Sequence, residues 1–231
     1  MIDWHTHILP QLDDGSKSVK ESVLLINDLQ SQGVDTIIAT PHFYANDGDV
    51  SSFIKRRNGS FAKLQNANNS DVRLLLGAEV RYYPGISRLE DLDKLQIDDS
   101  GLLLLEMPTA KWTEYMLHEL EQLALLPNLK IVMAHVDRYL KIQPFQVFER
   151  LIESGILMQA NAEFFIDFFS KRKALQLLQN GFIRFLGSDC HGIKIRPPVI
   201  GKAFGVIENK LGTDFVNYFN EYGRYMLKLN K

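Results

Sequence analysis

Cysteine is nearly missing from this chain: Cys190 is the single one in 231 residues. That excludes an intramolecular disulfide and a thiolate-rich zinc site. An excess of charge is missing too, with 26 Lys and Arg against 28 Asp and Glu. So even a balance provides no long-range field for gathering nucleic acid or coating an anionic membrane, and an anionic substrate must be held by local charge. No apolar run approaches the length of a membrane span, and the first residues lack the basic and apolar regions of a signal peptide. The expected location is cytoplasmic, without membrane insertion.

What is present is apolar material, 45% of the chain, enough for a substantial core. A length of 231 residues suits one large domain, 1–231, because α/β barrels reach this size without splitting. The chain opens with a short apolar stretch running into His5-Thr6-His7. Strand side chains repeat every two residues, so His5 and His7 project from one face and begin a metal site. Alone, the pair is a weak signal.

The rest alternates. Leu12-Asp13-Asp14-Gly15 reads as a turn, and Ser18 with Glu21 offers a capping box for a helix that Gly33 stops. Thr36–Thr40 is a buried strand ending at Pro41-His42, and apolar spacing predicts a helix from Phe53 to Gln65. The polar stretch between them, Tyr44 to Ser52, is expected to be mobile. Further strands run over Val72–Ala78, ending at Glu79; Leu102–Leu105, ending at Glu106; and Leu129–Ala134, ending at His135. Helices are predicted through Trp112 to Leu123 and over Phe145–Glu153, followed by a strand at Ile156–Ala160. A helix at Phe164–Leu178 and a strand at Phe182–Leu186 lead into Gly187-Ser188-Asp189-Cys190-His191, and two short helices close the chain from Lys202. Seven strands, most separated by helices, describe a parallel β/α wheel one short of the usual eight. An open doubly wound sheet would share the alternation. The polar residues favour a barrel, since only closure brings so many strand ends around one point.

Those residues are His5, His7, Asp14, His42, Glu79, Glu106, His135, Asp189 and His191, which include five of the six histidines. His118, inside an amphipathic helix, reads as a surface residue. Taken singly, each carboxylate is an ordinary cap or solvated side chain. Together, the four carboxylates at one mouth would repel and raise one another's pKa unless cations lay among them. Mixed imidazole and carboxylate donors suit manganese, zinc or iron, and nine donors suggest three ions. Three divalent ions would leave a positive surplus over four carboxylates, favouring a dianion such as a phosphate monoester. Arg138 and Arg196 flank candidate ligands and could grip phosphate oxygens through paired N–H donors.

The ordered elements His-x-His, Asp-Asp-Gly, Thr-Pro-His, Gly-Ala-Glu, Leu-Leu-Glu, Ala-His-Val-Asp-Arg-Tyr and Ser-Asp-Cys-His with Arg-Pro-Pro resemble the polymerase and histidinol phosphatase (PHP) superfamily. Within it, the chain is similar to the bacterial tyrosine phosphatases of capsule and exopolysaccharide gene clusters, the CpsB and YwqE type. The resemblance runs from Met1 to about Pro198. It implies a distorted seven-stranded (β/α)7 TIM-like barrel and three divalent ions, manganese before zinc or iron. The implied activity is hydrolysis of phosphotyrosine on a partner bacterial tyrosine kinase by a metal-activated hydroxide.

On this resemblance His5, His7, Glu79 and Asp189 hold the first ion; Glu79 bridges to the second, completed by Glu106 and His135. Asp14, His42 and His191 take the third, and Arg138 and Arg196 bind phosphate. The sequence beyond about Leu211 matches only loosely, which leaves kinase pairing and a homo-oligomer open. Three enzymes compete with this reading: a histidinol-phosphate or other small phosphomonoester phosphatase on the same fold, a TatD-like metal hydrolase, and a cysteine phosphatase built on the Cys190-x5-Arg196 spacing. A degenerate barrel kept as a binding module is the non-enzymatic alternative.

Overall fold

A computed structural model describes residues 1–229. In chain order it places β1 (Ile2–Thr6), α1 (Val19–Ser31), β2 (Thr36–Ala39), β3 (His42–Phe43), α2 (Val50–Ala67), β4 (Arg73–Leu76) and β5 (Glu79–Arg81). There follow β6 (Leu102–Glu106), α3 (Glu114–Ala124), β7 (Lys130–Met133), α4 (Val136–Tyr139), α5 (Phe145–Glu153) and β8 (Leu157–Asn161). The chain ends through α6 (Glu163–Ile166), α7 (Lys171–Gln179), β9 (Phe185–Gly187), α8 (Ile200–Leu211) and α9 (Thr213–Met226).

Strand pairing is parallel throughout, in two sheets of order β1-β2-β4 and β3-β5-β6-β7-β8-β9. Together they make a curled parallel sheet with helices outside it. Two of the seven expected strands are each interrupted. Pro41, without an N–H, separates β2 from β3. Gly77 and Ala78 separate β4 from β5 where the backbone passes so close to Ile97 that a Cβ on Gly77 would lie 2.9 Å from its Cγ1. The far edge of the second sheet returns to the first: Asp189 N–H donates to His5 O at 2.8 Å and His7 N–H to Cys190 O at 3.0 Å.

Side chains alternate across the strands, as the pleat requires. Leu102 and Leu104 enter an inner cluster with Ile2, Trp4, Ile38, Val132 and Phe185. Leu103 and Leu105 point the other way, into the layer shared with Leu25, Leu29, Leu120 and Phe148 of the helices. Burial on both faces explains why β6 reads as an unbroken leucine run.

Two expectations need correction. The predicted helix Phe164–Leu178 is split into α6 and α7, because the Asp167 carboxylate accepts the N–H groups of Phe169 and Ser170 and turns the chain. The closing helices are not short, at 12 and 14 residues. Leu227, just after α9, joins the inner cluster, and Gly223 lets α9 approach Ile2, where a Cβ would meet Ile2 Cδ1 at 3.0 Å. In the polar stretch after His42 a helical turn spans Ala45–Asp47, and Asp49 caps α2 by accepting Ser52 N–H at 2.7 Å.

Asp3 lies fully buried on β1. Its Oδ1 accepts Ser188 N–H at 2.8 Å, while Oδ2 has no partner. Burial pushes its pKa up to about 7 from 3.8. Between those values the folded chain keeps a proton that the unfolded chain releases, so this contribution to stability is whole below pH 3.8 and is lost as pH rises through 7. A shift of that size is worth roughly 4 kcal/mol. Asp3→Asn should therefore raise the melting temperature clearly more at pH 8 than at pH 5. A thermal melt series over that range checks it, and an equal offset at both ends would contradict the assignment.

Candidate metal centre

The strands deliver their C-terminal ends to one point, and all nine expected donors arrive there. Four overlapping groups, each with donor atoms within 4.8 Å of one another, are present among the described residues. They are His7, Asp14, His42 and His191; His5, His135 and Asp189; His5, His7 and Glu79; and His42, Glu79 and Glu106. His118 lies apart, exposed and paired with Glu121.

Local backbone makes the convergence possible. His135 and Asp189 adopt left-handed φ values of 53° and 52°, which turn each side chain inward as its strand ends. In Asp-Asp-Gly, a Cβ on Gly15 would fall 2.1 Å from His7 O, so only glycine lets this loop cross β1's exit. Gly187 plays the same part, with a Cβ position 2.4 Å from His5 Cβ.

Glu79 is the centre. Its fully buried carboxylate lies 2.7 Å from His135 Nε2, 2.9 Å from His42 Nδ1, 3.2 Å from His5 Nε2 and 3.3 Å from His7 Nε2. Yet Oε2 makes no hydrogen bond of acceptable geometry, and neither does His42 Nδ1. Buried polar atoms left unpaired in this way are costly unless something else binds them. His5 Nε2 and His7 Nε2 stand 3.1 Å apart, and Asp189 Oδ1 lies 3.4 Å from the latter. Donors at roughly 2.0–2.2 Å from one ion stand about 3.0–3.6 Å from each other. The residues present therefore fit divalent cations.

Protonation agrees in part. Burial would raise the pKa of Glu79, but His5, His135 and His42 outweigh it and hold the carboxylate ionised. Asp189 behaves alike, with burial outweighed by His5, His7 and His135. His5 is pushed down by burial, and His191 is pushed down to about 4 by burial and by repulsion from His7, so both are neutral imidazoles ready to donate. His7 and His135 shift upward because Asp13 and Glu79, respectively, outweigh the effect of burial. Protons and cations compete for these two rings.

A second layer orients the rings. Asp13 Oδ2 accepts from His7 Nδ1 at 2.7 Å and from the backbone N–H of His42 at 3.1 Å. Asn161 Oδ1 bonds His135 Nδ1 at 2.8 Å, and His191 Nδ1 donates to Asp189 O at 2.9 Å. The contacts to His7, His135 and His191 each fix a ring with its other nitrogen toward the centre. Sequence reasoning missed Asn161, although it is the polar residue ending β8, the one strand of the wheel to which no donor had been given. It also missed Arg81, whose Nη1 pairs with Glu106 Oε2 at 2.7 Å.

Arg138 and Arg196 stand at the rim, each part-exposed, and both guanidinium groups reach Asp189 Oδ2. Arg196 also contacts His191 Nε2 at 2.9 Å. Outside Asp14 a cavity of about 250 Å3 is lined by His42, Tyr44, Asp47 and Arg56, and the Tyr44 ring stacks on His42 at 5.2 Å. Cys190 is fully buried, and burial pushes its thiol pKa up.

Residues 1–222 match the protein family described as capsular polysaccharide synthesis, CpsB/CapC. The chain belongs to the CpsB/CapC family. It is 30% identical to the tyrosine-protein phosphatase CpsB of Streptococcus pneumoniae, over 92% of this chain and 91% of that one. With the tyrosine-protein phosphatase YwqE of Bacillus subtilis it shares 27% identity over 99% of this chain and 92% of the relative. A crystal structure from work on YwqE and S. pneumoniae CpsB, described as unique metal-dependent tyrosine phosphatases, superposes with a TM-score of 0.84 at 26% identity, covering 99% of this chain and 94% of that one. The hisK structure from Listeria monocytogenes gives a TM-score of 0.53 at 15% identity, over 84% of this chain and 96% of that one, a likeness of fold alone.

Proposed function

We propose that this CpsB/CapC chain is a metal-dependent protein-tyrosine-phosphatase. The observation that carries the reading is the buried Glu79 carboxylate, faced by four imidazoles and short of hydrogen bonds, inside a nine-donor set. We read β2 with β3, and β4 with β5, as single strands interrupted once, which makes the sheet a distorted (β/α)7 barrel within one domain, 1–231.

Three ions, manganese first, would divide the donors as the family resemblance implies. His5, His7, Glu79 and Asp189 would hold one; Glu79, Glu106 and His135 the next; and Asp14, His42 and His191 the third. When bound, divalent cations supply Lewis acidity and activate water as a nucleophile at neutral pH. The chain's own residues do the rest. Arg138 and Arg196 donate paired N–H groups to the non-bridging phosphoryl oxygens, over which charge is spread in the transition state, and hold the group in line for attack. Asp13 and Asn161 hold His7 and His135 in place while charge moves. The leaving phenol has a pKa near 10, so tyrosinate departs with less help from a general acid than an alkoxide needs.

The substrate reading is a phosphotyrosine protein, the tail of a bacterial tyrosine kinase, met in the cytoplasm. Among the described residues no helix is long and apolar enough to cross a membrane. A histidinol-phosphate enzyme would need a free acid near the site for the substrate amine. Within the ligand motifs the two remaining acids are engaged, Asp13 by His7 and Asp137 by the N–H of Asn161 at 2.9 Å, which leaves Asp47, in the cavity beside His42, as the acid that a substrate amine could meet. A TatD-like site would have no use for the group of Asp14, His42 and His191.

The test compares kcat/KM for a phosphotyrosine peptide, a phosphoserine peptide and histidinol phosphate with Mn2+ present. The phosphotyrosine peptide should lead by tenfold or more, a difference of roughly 1.4 kcal/mol in barrier. A preference for histidinol phosphate, or equal rates on the two peptides, would overturn the substrate assignment and leave the cation site standing.

A further inference from the structure

Beside Asp14 and His191 a groove of about 480 Å3 runs between the first turns of α1 and the loop after His191. Its walls carry Lys17, Lys20, Leu24, Ile193, Lys194 and Ile195. The loop is a compact projection: His191 N–H donates to Arg196 O at 3.1 Å, and Arg196 is left-handed with φ 56°. That closure puts Lys194 and Ile195 at the tip, where Ile195 is 78% exposed and shares the groove with Leu24, which is 47% exposed.

The charges in this groove are unequally occupied. Glu21 spends one carboxylate oxygen on the N–H of Lys17 at 2.9 Å, and its other oxygen lies against Gly192, 2.9 Å from where a Cβ would stand. Lys17 Nζ donates to Asp14 O at 2.7 Å. Lys20 and Lys194 are exposed, and the sole lysine ion pair among the described residues is Lys94 with Asp91. Two free ammonium groups and two exposed aliphatic side chains thus border a channel that ends at the metal donors. The chain as a whole carries a net charge of −2, so no general field draws acidic groups to it and their attraction must come from local clusters such as this one.

We propose that the groove binds the polypeptide flanking phosphotyrosine and selects segments with acidic side chains next to apolar ones. The proposal rests on the phosphotyrosine reading. A phosphotyrosine that reaches the donors from the mouth must lay its neighbouring residues on the rim, and here the groove is continuous with Asp14 and His191. Lysine ammonium groups on flexible stems attract carboxylates as point charges without fixing a register, which suits a preference for acidic composition over a strict motif. Leu24 and Ile195 give an aliphatic side chain of the peptide a place to leave water.

The experiment measures kcat/KM with Mn2+ for p-nitrophenyl phosphate, a phosphotyrosine peptide flanked by Glu, Asp and Leu, and the same peptide with Lys in place of its acids. The wild-type chain should favour the acidic peptide by about tenfold, chiefly through KM, and the preference should shrink as salt rises from about 0.05 to about 0.5 M. In the double variant Lys20→Glu, Lys194→Glu, the ratio of acidic-peptide to p-nitrophenyl phosphate kcat/KM should fall by about tenfold. Equal wild-type rates on both peptides, or an unchanged ratio in the variant, would overturn the groove while leaving the phosphotyrosine reading intact. Hydrolysis of p-nitrophenyl phosphate but of neither peptide would overturn that reading and the groove with it. The wild-type comparison decides the matter even where the variant folds poorly.

Discussion

Replacing Glu79 by Gln should lower kcat/KM by about a thousandfold or more, roughly 4 kcal/mol of lost transition-state stabilisation. The substitution keeps the shape of a fully buried side chain and removes its charge. In the present arrangement that charge serves four imidazoles at once, at 2.7 to 3.3 Å. An amide oxygen can still accept, but the NH2 group offers no lone pair to a cation and would donate to ring nitrogens whose lone pairs the cation needs. Bound cation should therefore fall together with activity, as elemental analysis of dialysed protein would measure. A Glu79→Gln chain retaining full metal content and a tenth of wild-type activity would remove Glu79 from the centre of the account.

Arg138→Ala and Arg196→Ala should each slow turnover by about a hundredfold, the scale for losing one preorganised donor to a transition state. Both guanidinium groups converge on Asp189 Oδ2, so each holds its place partly through the other's partner. The double variant should accordingly be less damaged than the product of the two single losses. Lysine at either position should rescue little, because a point charge cannot reproduce a planar fork against paired oxygens. Kinetics on p-nitrophenyl phosphate with parallel metal analysis separates the two contributions. Normal turnover in both single variants would show that these arginines serve Asp189 alone.

The convergence of the candidate site's side chains was legible in the sequence because strand geometry turns position into direction. His5 and His7, two apart, had to share a face, and their Nε2 atoms meet at 3.1 Å. Polar residues closing apolar runs at Glu79, Glu106, His135 and Asp189 read as strand ends, and parallel strands with helical returns bring them together, although Glu79 opens β5 instead of closing a strand.

What stayed hidden depends on partners distant in the chain. Asp13 read as a turn residue, and its bond to His7 Nδ1 exists only once the loop folds back over β1, which Gly15 permits. Asn161 carried no metal-ligand signature, since an amide orients an imidazole without itself marking a metal site. Arg81 escaped because the third strand was expected to stop at Glu79, whereas β5 continues past the Gly77 break. The packing of α9 was equally unreadable: an amphipathic pattern identifies an apolar face but not the surface it covers, here Ile2 and Trp4 beneath Gly223.

On the reading proposed here, the chemistry belongs to cations held by these donors and not to the Cys190 thiol, which is buried and held protonated. The direct measurement is p-nitrophenyl phosphate hydrolysis by wild-type and Cys190→Ser protein, each after chelation and again after addition of Mn2+. The expected result is that chelation abolishes activity in both, that Mn2+ restores it in both, and that the serine variant keeps most of the wild-type rate. Activity that survives chelation, or that disappears in Cys190→Ser while its metal content is intact, would contradict it.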